Sequence, residues 1–445
     1  MKILFVYFEM ERYSLTFHQG IGMLSACLKA GGHSTSLVRL SLYEPLGGIE
    51  LAVLNETPDI IAISMTIRTV GIAKSIVEFL SNHKNLFIAV GGVYPTIAFE
   101  SLFDIQGINA ICIGEGEHSF VELCNRLESG IDYSSIYGFC FNIDGHWKVN
   151  PPGSVIEDIN SLPFADRDIF DFDGVINSSR KRKATFMATR GCDHDCTYCA
   201  NHAIKNAYTN CRNMSYFRSR TPENVILEIN EVLSRYPAVG FVTFQDDTLL
   251  FNSNWLDNFA MLYQEHIGLP FCCNARVDEV TAENATRLKN AGCVEVRMGV
   301  EAGNDYIRNE ILKKHVSKEQ IIESFQLLNE LDIKTLSLNM MGMPNETEEM
   351  ILETFELNRK CRPAAARCTI FEARIGTAVY EKYKEHITHY IPNETENAAL
   401  LGKNDDRFIV ESDKISHELS IPILNFLPST RLAELNEAFL KEFNR

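Results

Sequence analysis

The chain contains two successive series in which short apolar runs alternate with segments of helical spacing. The apolar runs of the first series lie at residues 2–7, 38–40, 59–64, 87–90 and 110–113. Helical segments separate them, and the first of these ends at Gly31-Gly32, a typical helix stop. Parallel strands need crossover connections, which are usually helices. The first series therefore predicts a doubly wound, Rossmann-like parallel sheet (fold class α/β) over residues 1–138.

The second series repeats the alternation six times after residue 180. Its predicted strands are residues 184–189, 240–245, 271–276, 295–300, 336–341 and 367–371. Six strand–helix units predict a partial (β/α)6 barrel, whose site lies at the carboxyl ends of the strands. We assign the barrel to residues 181–380, a linker to 139–180 and a small, mainly helical C-terminal region to 381–445.

The composition restricts the partners and the location of the protein. The formal net charge is −17, whereas binding to nucleic acid or anionic membranes needs clustered positive charge, so we expect neither partner. The single basic run, Arg180 to Lys183, could meet an anionic substrate or be a solvated linker. No apolar run reaches the ~20 residues that span a bilayer, and the N-terminus lacks a signal-peptide pattern. We therefore expect a soluble, cytoplasmic protein.

Three cysteines, Cys192, Cys196 and Cys199, lie in one loop just after the predicted strand 184–189. Outside this loop the cysteine spacing is irregular, which argues against a disulfide framework. Three thiolates at spacings of four and three can converge on an iron–sulfur cluster. A structural zinc site would need a fourth ligand, for which His194 and His202 are the nearby candidates. On spacing alone, both kinds of metal site remain open.

The loop resembles the Cys-X3-Cys-X2-Cys signature of the radical S-adenosylmethionine (radical SAM) enzymes, in which an aromatic residue, here Tyr198, precedes the last cysteine. The resemblance implies a 4Fe–4S cluster held by Cys192, Cys196 and Cys199, with S-adenosylmethionine (SAM) bound at the fourth iron. It also implies reductive cleavage of SAM, hydrogen abstraction from a substrate, and an external one-electron reductant such as flavodoxin or ferredoxin.

Polar side chains follow the later strands of the predicted barrel. Asp246-Asp247 could act as paired acid and base groups, or Asp247 could cap a helix. The guanidinium of Arg276 could hold the SAM carboxylate or form an ion pair with a nearby acid. The segments around Glu301 and Asn339 resemble family segments near the ribose or amino end and the adenine of SAM. We take Arg276 and Glu301 as catalytic candidates and expect cofactor contacts from Tyr198, Asp246, Asp247, Arg276, Glu301 and Asn339.

Glycine-rich loops follow the N-terminal strands, but neither a Gly-X-Gly-X-X-Gly nor a Walker pattern is present. The stretches 20–33, 90–96 and 114–117 resemble the cobalamin-binding domain that precedes many radical SAM domains. The resemblance implies a cobalamin site that includes Ser64, Gly91, Gly92, Gly114 and Glu115. The histidine motif that ligates cobalt in the cobalamin mutases is missing, so the resemblance implies a base-off cofactor. Bulky Met65 and Arg68 after the third strand could instead fill this pocket.

The two resemblances together predict a cobalamin-binding-domain radical SAM enzyme that acts on a small molecule or natural-product intermediate. The most specific expectation is cobalamin-dependent methyl transfer to an unactivated carbon. A radical SAM dehydratase, cyclase or epimerase that does not use cobalamin is the alternative within enzymes. A non-catalytic cobalamin or metal sensor is the remote alternative, and it would need no SAM pocket at Arg276 and Glu301.

Overall fold

The computed structural model describes residues 1–9, 15–41, 45–81, 86–208, 215–390, 421–424 and 426–444. The chain divides into two compact units. The first includes residues 1–179 and 203–216, and the second includes residues 180–202 and most of the chain from residue 217 onward. Within the described residues, no helix is both long and apolar enough to cross a membrane.

The first unit is built on a seven-stranded sheet. Its strands are β1 (Lys2–Glu9), β2 (Ser34–Ser41), β3 (Ile60–Ser64), β4 (Phe87–Gly91), β5 (Ala110–Cys112), β6 (Phe139–Ile143) and β7 (His146–Val149), in the order β2-β1-β3-β4-β5-β6-β7. The first five are parallel, and β6 and β7 are antiparallel to their neighbours. The helices are α1 (Gln19–Ala30), α2 (Pro45–Glu56), α3 (Val70–Ser81), α4 (Val93–Ala98), α5 (Glu117–Ser129) and α6 (Phe172–Asn177). The predicted doubly wound sheet is confirmed.

The range 139–180, which we predicted as a linker, is folded onto this unit. Strands β6 and β7 form a hairpin that extends the sheet. Phe139 and Phe141 of β6 are fully buried, and a turn with positive φ at Asp144 and Gly145 connects the two strands. Further on, the Asp166 carboxylate accepts the hydroxyl of Ser25 at 2.5 Å. The range thus contributes core packing in addition to connecting two domains.

The second unit is built on a six-stranded, fully parallel sheet in the order β15-β14-β13-β12-β11-β8. Its strands are β8 (Lys183–Phe186), β11 (Phe241–Phe244), β12 (Phe271–Ala275), β13 (Cys293–Glu301), β14 (Lys334–Met341) and β15 (Ala365–Ile370), and the short strands β9 (Thr189–Arg190) and β10 (Arg218–Ser219) pair separately. The order follows the chain, as expected for a partial (β/α)6 barrel. That prediction is confirmed.

The helix α7 (Ala200–Ala207) follows the cysteines, and the boundary between the two units falls within it at residue 203. The next six helices begin where capping side chains predict. They are α8 (Pro222–Arg235), α9 (Ser253–His266), α10 (Ala282–Ala291), α11 (Lys318–Glu330), α12 (Glu348–Cys361) and α13 (Ala378–Tyr383). The side chains of Thr221, Asn252 and Thr281 each accept a backbone N–H in the first turn of a helix. The C-terminal region adds the antiparallel pair β16 (Ile387–Tyr390) and β17 (Ile421–Leu424) and the helix α14 (Ser429–Phe443).

Candidate active site

The three cysteines lie between β9 and α7, beyond the carboxyl end of β8. Gly191 has φ +79°, a value that suits glycine where the chain turns out of β9. The Thr197 N–H and hydroxyl donate to the carbonyls of Leu312 at 3.1 Å and Ile311 at 2.6 Å. All three cysteines are free thiols, with Cys196 buried. The loop is therefore anchored while its thiols remain available as ligands.

The three thiols form a donor set that a metal cluster could use. Burial raises the pKa of Cys192 to about 11, and Cys199 and Cys196 add to the shift, so the thiols lie within electrostatic reach of each other. Among the described residues, no three Cys, His, Asp or Glu side chains meet around one ion. Thiolates that bind three different irons need not converge on one point. The donor set is thus compatible with a cluster.

Arg276 lies directly beyond the carboxyl end of β12 and next to the cysteine loop. Its Nη1 is 3.8 Å from Cys196 Sγ, and its Nη2 donates to the Lys314 carbonyl at 3.1 Å. Its Nε and Nη2 also donate to the two oxygens of Asp278 at 3.0 Å. The ion pair that the sequence offered as an alternative is therefore present, and contact with SAM stays a prediction.

Glu301 ends β13 and forms a buried ion pair. Lys314 Nζ donates to Glu301 Oε1 at 2.9 Å, with side-chain exposures of 5% and 12%. The Tyr198 hydroxyl also bonds to Glu301, and burial together with this carboxylate raises the pKa of Tyr198. The structure thus brings Tyr198, Glu301 and Arg276 together around Lys314.

Glu301 has the left-handed backbone conformation, with φ +66°. The register between β13 and β14 shifts at this point, and the carboxylate folds back over Gly299 so closely that any side chain there would collide with it. Such backbone strain in a residue other than glycine is typical of functional sites. Gly299 is therefore the residue that gives the Glu301 carboxylate its room.

Lys314 is the site residue that sequence reasoning missed. It lies in an irregular loop, between Lys313 and His315, which both have positive φ. The fully buried Arg308 braces this loop by donating to the carbonyls of Ala302, Gly303 and Val316. Periodicity does not reveal such a residue, because Lys314 is one of several charged side chains in the polar stretch 308–318.

The two aspartates beyond β11 have different roles. Asp246 is fully buried, and its Oδ1 accepts the N–H groups of Ala188 and Thr189 at 2.8 and 2.5 Å, just before the cysteine loop. Burial raises its pKa to about 6. Asp247 Oδ2 accepts from Asn201, which follows the last cysteine, at 2.7 Å. Both aspartates support the backbone that carries the cysteines.

Asn339 is the register partner of Glu301 on the neighbouring strand β14, but its side chain bonds to other residues. Its Oδ1 accepts from Asn358 of α12 at 2.9 Å, and its Nδ2 donates to the Arg367 carbonyl at 3.0 Å. It therefore faces the helix layer. In the segment that follows, Glu346 Oε2 accepts the N–H groups of Gly342 and Met343 at 2.7 and 3.0 Å, which fixes the turn beyond β14.

We expect Glu346 to make stability pH-dependent near neutrality. Burial raises its pKa from 4.5 to about 7, so between these values the unfolded chain releases a proton that the folded chain keeps. Stability should fall with rising pH up to about 7, by at most about 1.4 kcal/mol per pH unit, and then level off. The melting temperature of Glu346→Gln, relative to the unaltered protein, should therefore rise between pH 6 and 8. The exposed Glu356→Gln should show no such trend, and a flat difference for Glu346→Gln would refute the assignment.

The glycine loops of the first unit follow β4 and β5. Gly92 has φ +105°, and a Cβ there would lie 2.9 Å from the Met65 carbonyl oxygen and 3.2 Å from Ser64 Oγ. Gly91 accepts the Met65 N–H at 2.8 Å, and the Met65 side chain is fully buried. Ser64, Gly91 and Gly92 thus lie close together at the carboxyl ends of β3 and β4.

The loop beyond β5 is held by a residue that sequence reasoning also missed, Tyr208. Its hydroxyl accepts the Glu115 N–H at 2.7 Å and comes so close to Gly114 that a side chain there would collide with it. Glu115 Oε2 accepts the Ile156 N–H at 2.7 Å. At the start of α1, Gln19 Oε1 is buried and has no partner among the described residues. That unpaired oxygen and the glycine loops fit a bound polar cofactor.

Comparison with known proteins agrees with this geometry. The radical SAM superfamily profile matches residues 187–357, and the B12 binding domain profile matches residues 11–124. An uncharacterized methyltransferase of Pyrococcus horikoshii is 25% identical over 73% of this chain and 69% of its own length. The anaerobic magnesium-protoporphyrin IX monomethyl ester cyclase of Rubrivivax gelatinosus is 23% identical over 79% of this chain and 63% of its own, so the chain spans less than two thirds of that relative.

The fold is also that of a solved structure. The radical SAM methyltransferase TsrM of Kitasatospora setae, solved with cobalamin and a 4Fe–4S cluster, superposes with a TM-score of 0.70 at 14% identity, over 87% of this chain and 77% of TsrM. The two sequence profiles follow each other in the order of the two folded units. The chain therefore carries a B12 binding domain followed by a radical SAM domain.

Proposed function

We propose that the protein is a cobalamin-dependent radical SAM methyltransferase that methylates an unactivated carbon of a small molecule. The observation that carries the proposal is the group of Cys192, Cys196 and Cys199 with Arg276 and Glu301 at the carboxyl end of the barrel sheet, in a chain that also has a B12 binding domain. The P. horikoshii relative, named a methyltransferase, supports it. The ring-forming cyclase relative supports a cyclase that uses the same radical site as the second candidate.

Each group of residues has a distinct task in this proposal. The cysteines would hold the 4Fe–4S cluster, Arg276 and Glu301 would bind the carboxylate and ammonium groups of SAM, and the loops at Ser64, Gly92 and Gly114 would hold cobalamin. When bound, these cofactors supply radical hydrogen abstraction and a transferable methyl group. The chain itself orients them and excludes competing groups. An external one-electron reductant completes the system.

The test is anaerobic reconstitution of the full chain with iron and sulfide, with and without hydroxocobalamin. We expect about one cobalamin per chain, 5′-deoxyadenosine formation that requires the cluster, and S-adenosylhomocysteine formation that requires cobalamin. Mass spectrometry of the products with methyl-labelled SAM measures both. A protein that forms 5′-deoxyadenosine but retains no cobalamin would exclude methyl transfer and favour the cyclase, dehydratase or epimerase alternative.

A further inference from the structure

The barrel sheet has a second polar group, on its concave face and near the amino ends of its strands. One face of the sheet is covered by helices, since Phe244 and Phe271 pack against Phe259 and Tyr263 of α9. Side chains alternate along a strand. Thr243, the neighbour of Phe244, therefore lies on the opposite, concave face.

The strand register places two cations on this concave face. Thr185, Thr243, Cys272 and Glu295 are successive partners across four strands. Lys183 precedes Thr185 by two residues, and Arg297 follows Glu295 by two. The side chains of Lys183 and Arg297 therefore lie on the same concave face as those of Thr185 and Glu295. Arg297 Nη2 confirms this by donating to Cys272 Sγ at 3.0 Å.

The charges of this group are not balanced. Arg297 Nε donates to Glu295 Oε1 at 3.0 Å, and Lys181 Nζ lies 3.8 Å from the other oxygen of Glu295. The Lys183 side chain makes no hydrogen bond or ion pair with any residue that the structure describes. Burial and Arg297 lower its pKa, and Cys272 and Glu295 offset part of this shift. Three cations, which we name the cationic patch (Lys181, Lys183 and Arg297), thus share the single carboxylate of Glu295. This excess lies within a chain of net charge −17.

We propose that the cationic patch binds an anionic group of the substrate, either a carboxylate or a phosphate. Partly buried cations near each other are stabilised by an anion, and a guanidinium beside an ammonium suits both groups. The proposal rests on the proposed function, because it assigns a substrate class to the same barrel. Arg297 and Glu301 are four residues apart on β13, or roughly 13 Å. The substrate would therefore extend that far from its anionic end to its reacting carbon.

Amine acetylation of the full, anaerobically reconstituted chain tests the proposal. Acetylation of Lys183 is measured by mass spectrometry, with the exposed Lys360 of α12 as internal reference, in inorganic phosphate, in succinate, and in sodium chloride of equal ionic strength. At an anion concentration of roughly ten times its Kd, the bound anion should slow acetylation of Lys183 about tenfold, because only the unoccupied fraction of the protein reacts. Protection by phosphate alone assigns a phosphorylated substrate, and protection by succinate assigns a carboxylate.

Two variants that change anion affinity in opposite directions make the test specific. Arg297→Met should remove the protection, and Glu295→Gln should strengthen it, a gain that misfolding cannot produce. Equal acetylation rates in phosphate, succinate and chloride, or protection that neither variant changes, would overturn the proposal. The assay requires neither SAM cleavage nor cobalamin, so its failure is distinguishable from failure of the methyltransferase proposal.

Discussion

Replacing Cys192, Cys196 and Cys199 together with alanine should remove the iron–sulfur cluster and abolish 5′-deoxyadenosine formation. Each thiolate would bind a separate iron, so no neighbouring group can replace all three. His202 lies 3.4 Å from Asp195 and His194 lies 3.9 Å from Glu279, so both imidazoles already have acidic neighbours. Iron and sulfide content, the absorption spectrum and product analysis by mass spectrometry measure the loss.

A matched control separates loss of the cluster from a general effect of removing thiols. Cys124 is fully buried in the first unit, remote in sequence from the loop, and Cys124→Ala should leave cluster content and 5′-deoxyadenosine formation unchanged. Turnover that survives the triple substitution would refute the radical SAM assignment of these cysteines. If the unaltered protein contained stoichiometric zinc in place of iron, the zinc-site hypothesis that the spacing alone left open would be restored.

The fold was largely predictable because most elements carry a local signal. Strands such as β1 and β3 are short apolar runs, and helices such as α8 and α10 begin after a capping threonine. The π-helix at Tyr306–Ile311 and the pairing of β16 with β17 have no such signal. The π-helix depends on Arg308, whose hydrogen bonds reach carbonyls on both sides of it along the chain.

The candidate site was predictable only where residues follow a strand or form a motif. Arg276 and Glu301 satisfy the first condition and the cysteines satisfy the second. Lys314 and Tyr208 lie in irregular segments, and their partners, Glu301 and Glu115, are 13 and 93 residues away along the chain. For Asn339, the alternation of side chains along β14 decides which face of the sheet the side chain lies on. Thr335, Ser337 and Met341 are buried on the same face of β14, and Asn358 satisfies the amide there.

Glu301→Leu should destabilise the second unit by about 3–5 kcal/mol, because it leaves Lys314 buried without its counter-ion. Replacing both partners, as Glu301→Leu with Lys314→Met, should recover the part of this loss that comes from the unpaired charge, since two apolar side chains need no counter-charge. The part that comes from the Tyr198 hydroxyl, which loses its acceptor Glu301, should remain in both variants. Thermal and denaturant unfolding measure both variants. The exposed neighbour Lys313, paired with Glu310 at 3.1 Å, supplies the control, because Lys313→Met should change stability by less than about 1 kcal/mol.

In these variants, the affinity for SAM and the folding stability should change independently of each other. We propose that the Glu301 carboxylate meets the ammonium group of SAM, a charge-assisted contact worth about 10- to 100-fold in affinity. Glu301→Leu and the double variant should therefore both bind SAM that much more weakly, although only the single variant is strongly destabilised. Equilibrium dialysis with labelled SAM on the reconstituted protein measures this. If the double variant bound SAM like the unaltered protein, the ion pair would serve only to hold the loop around Lys314, and SAM recognition would have to come from Arg276 and the cluster.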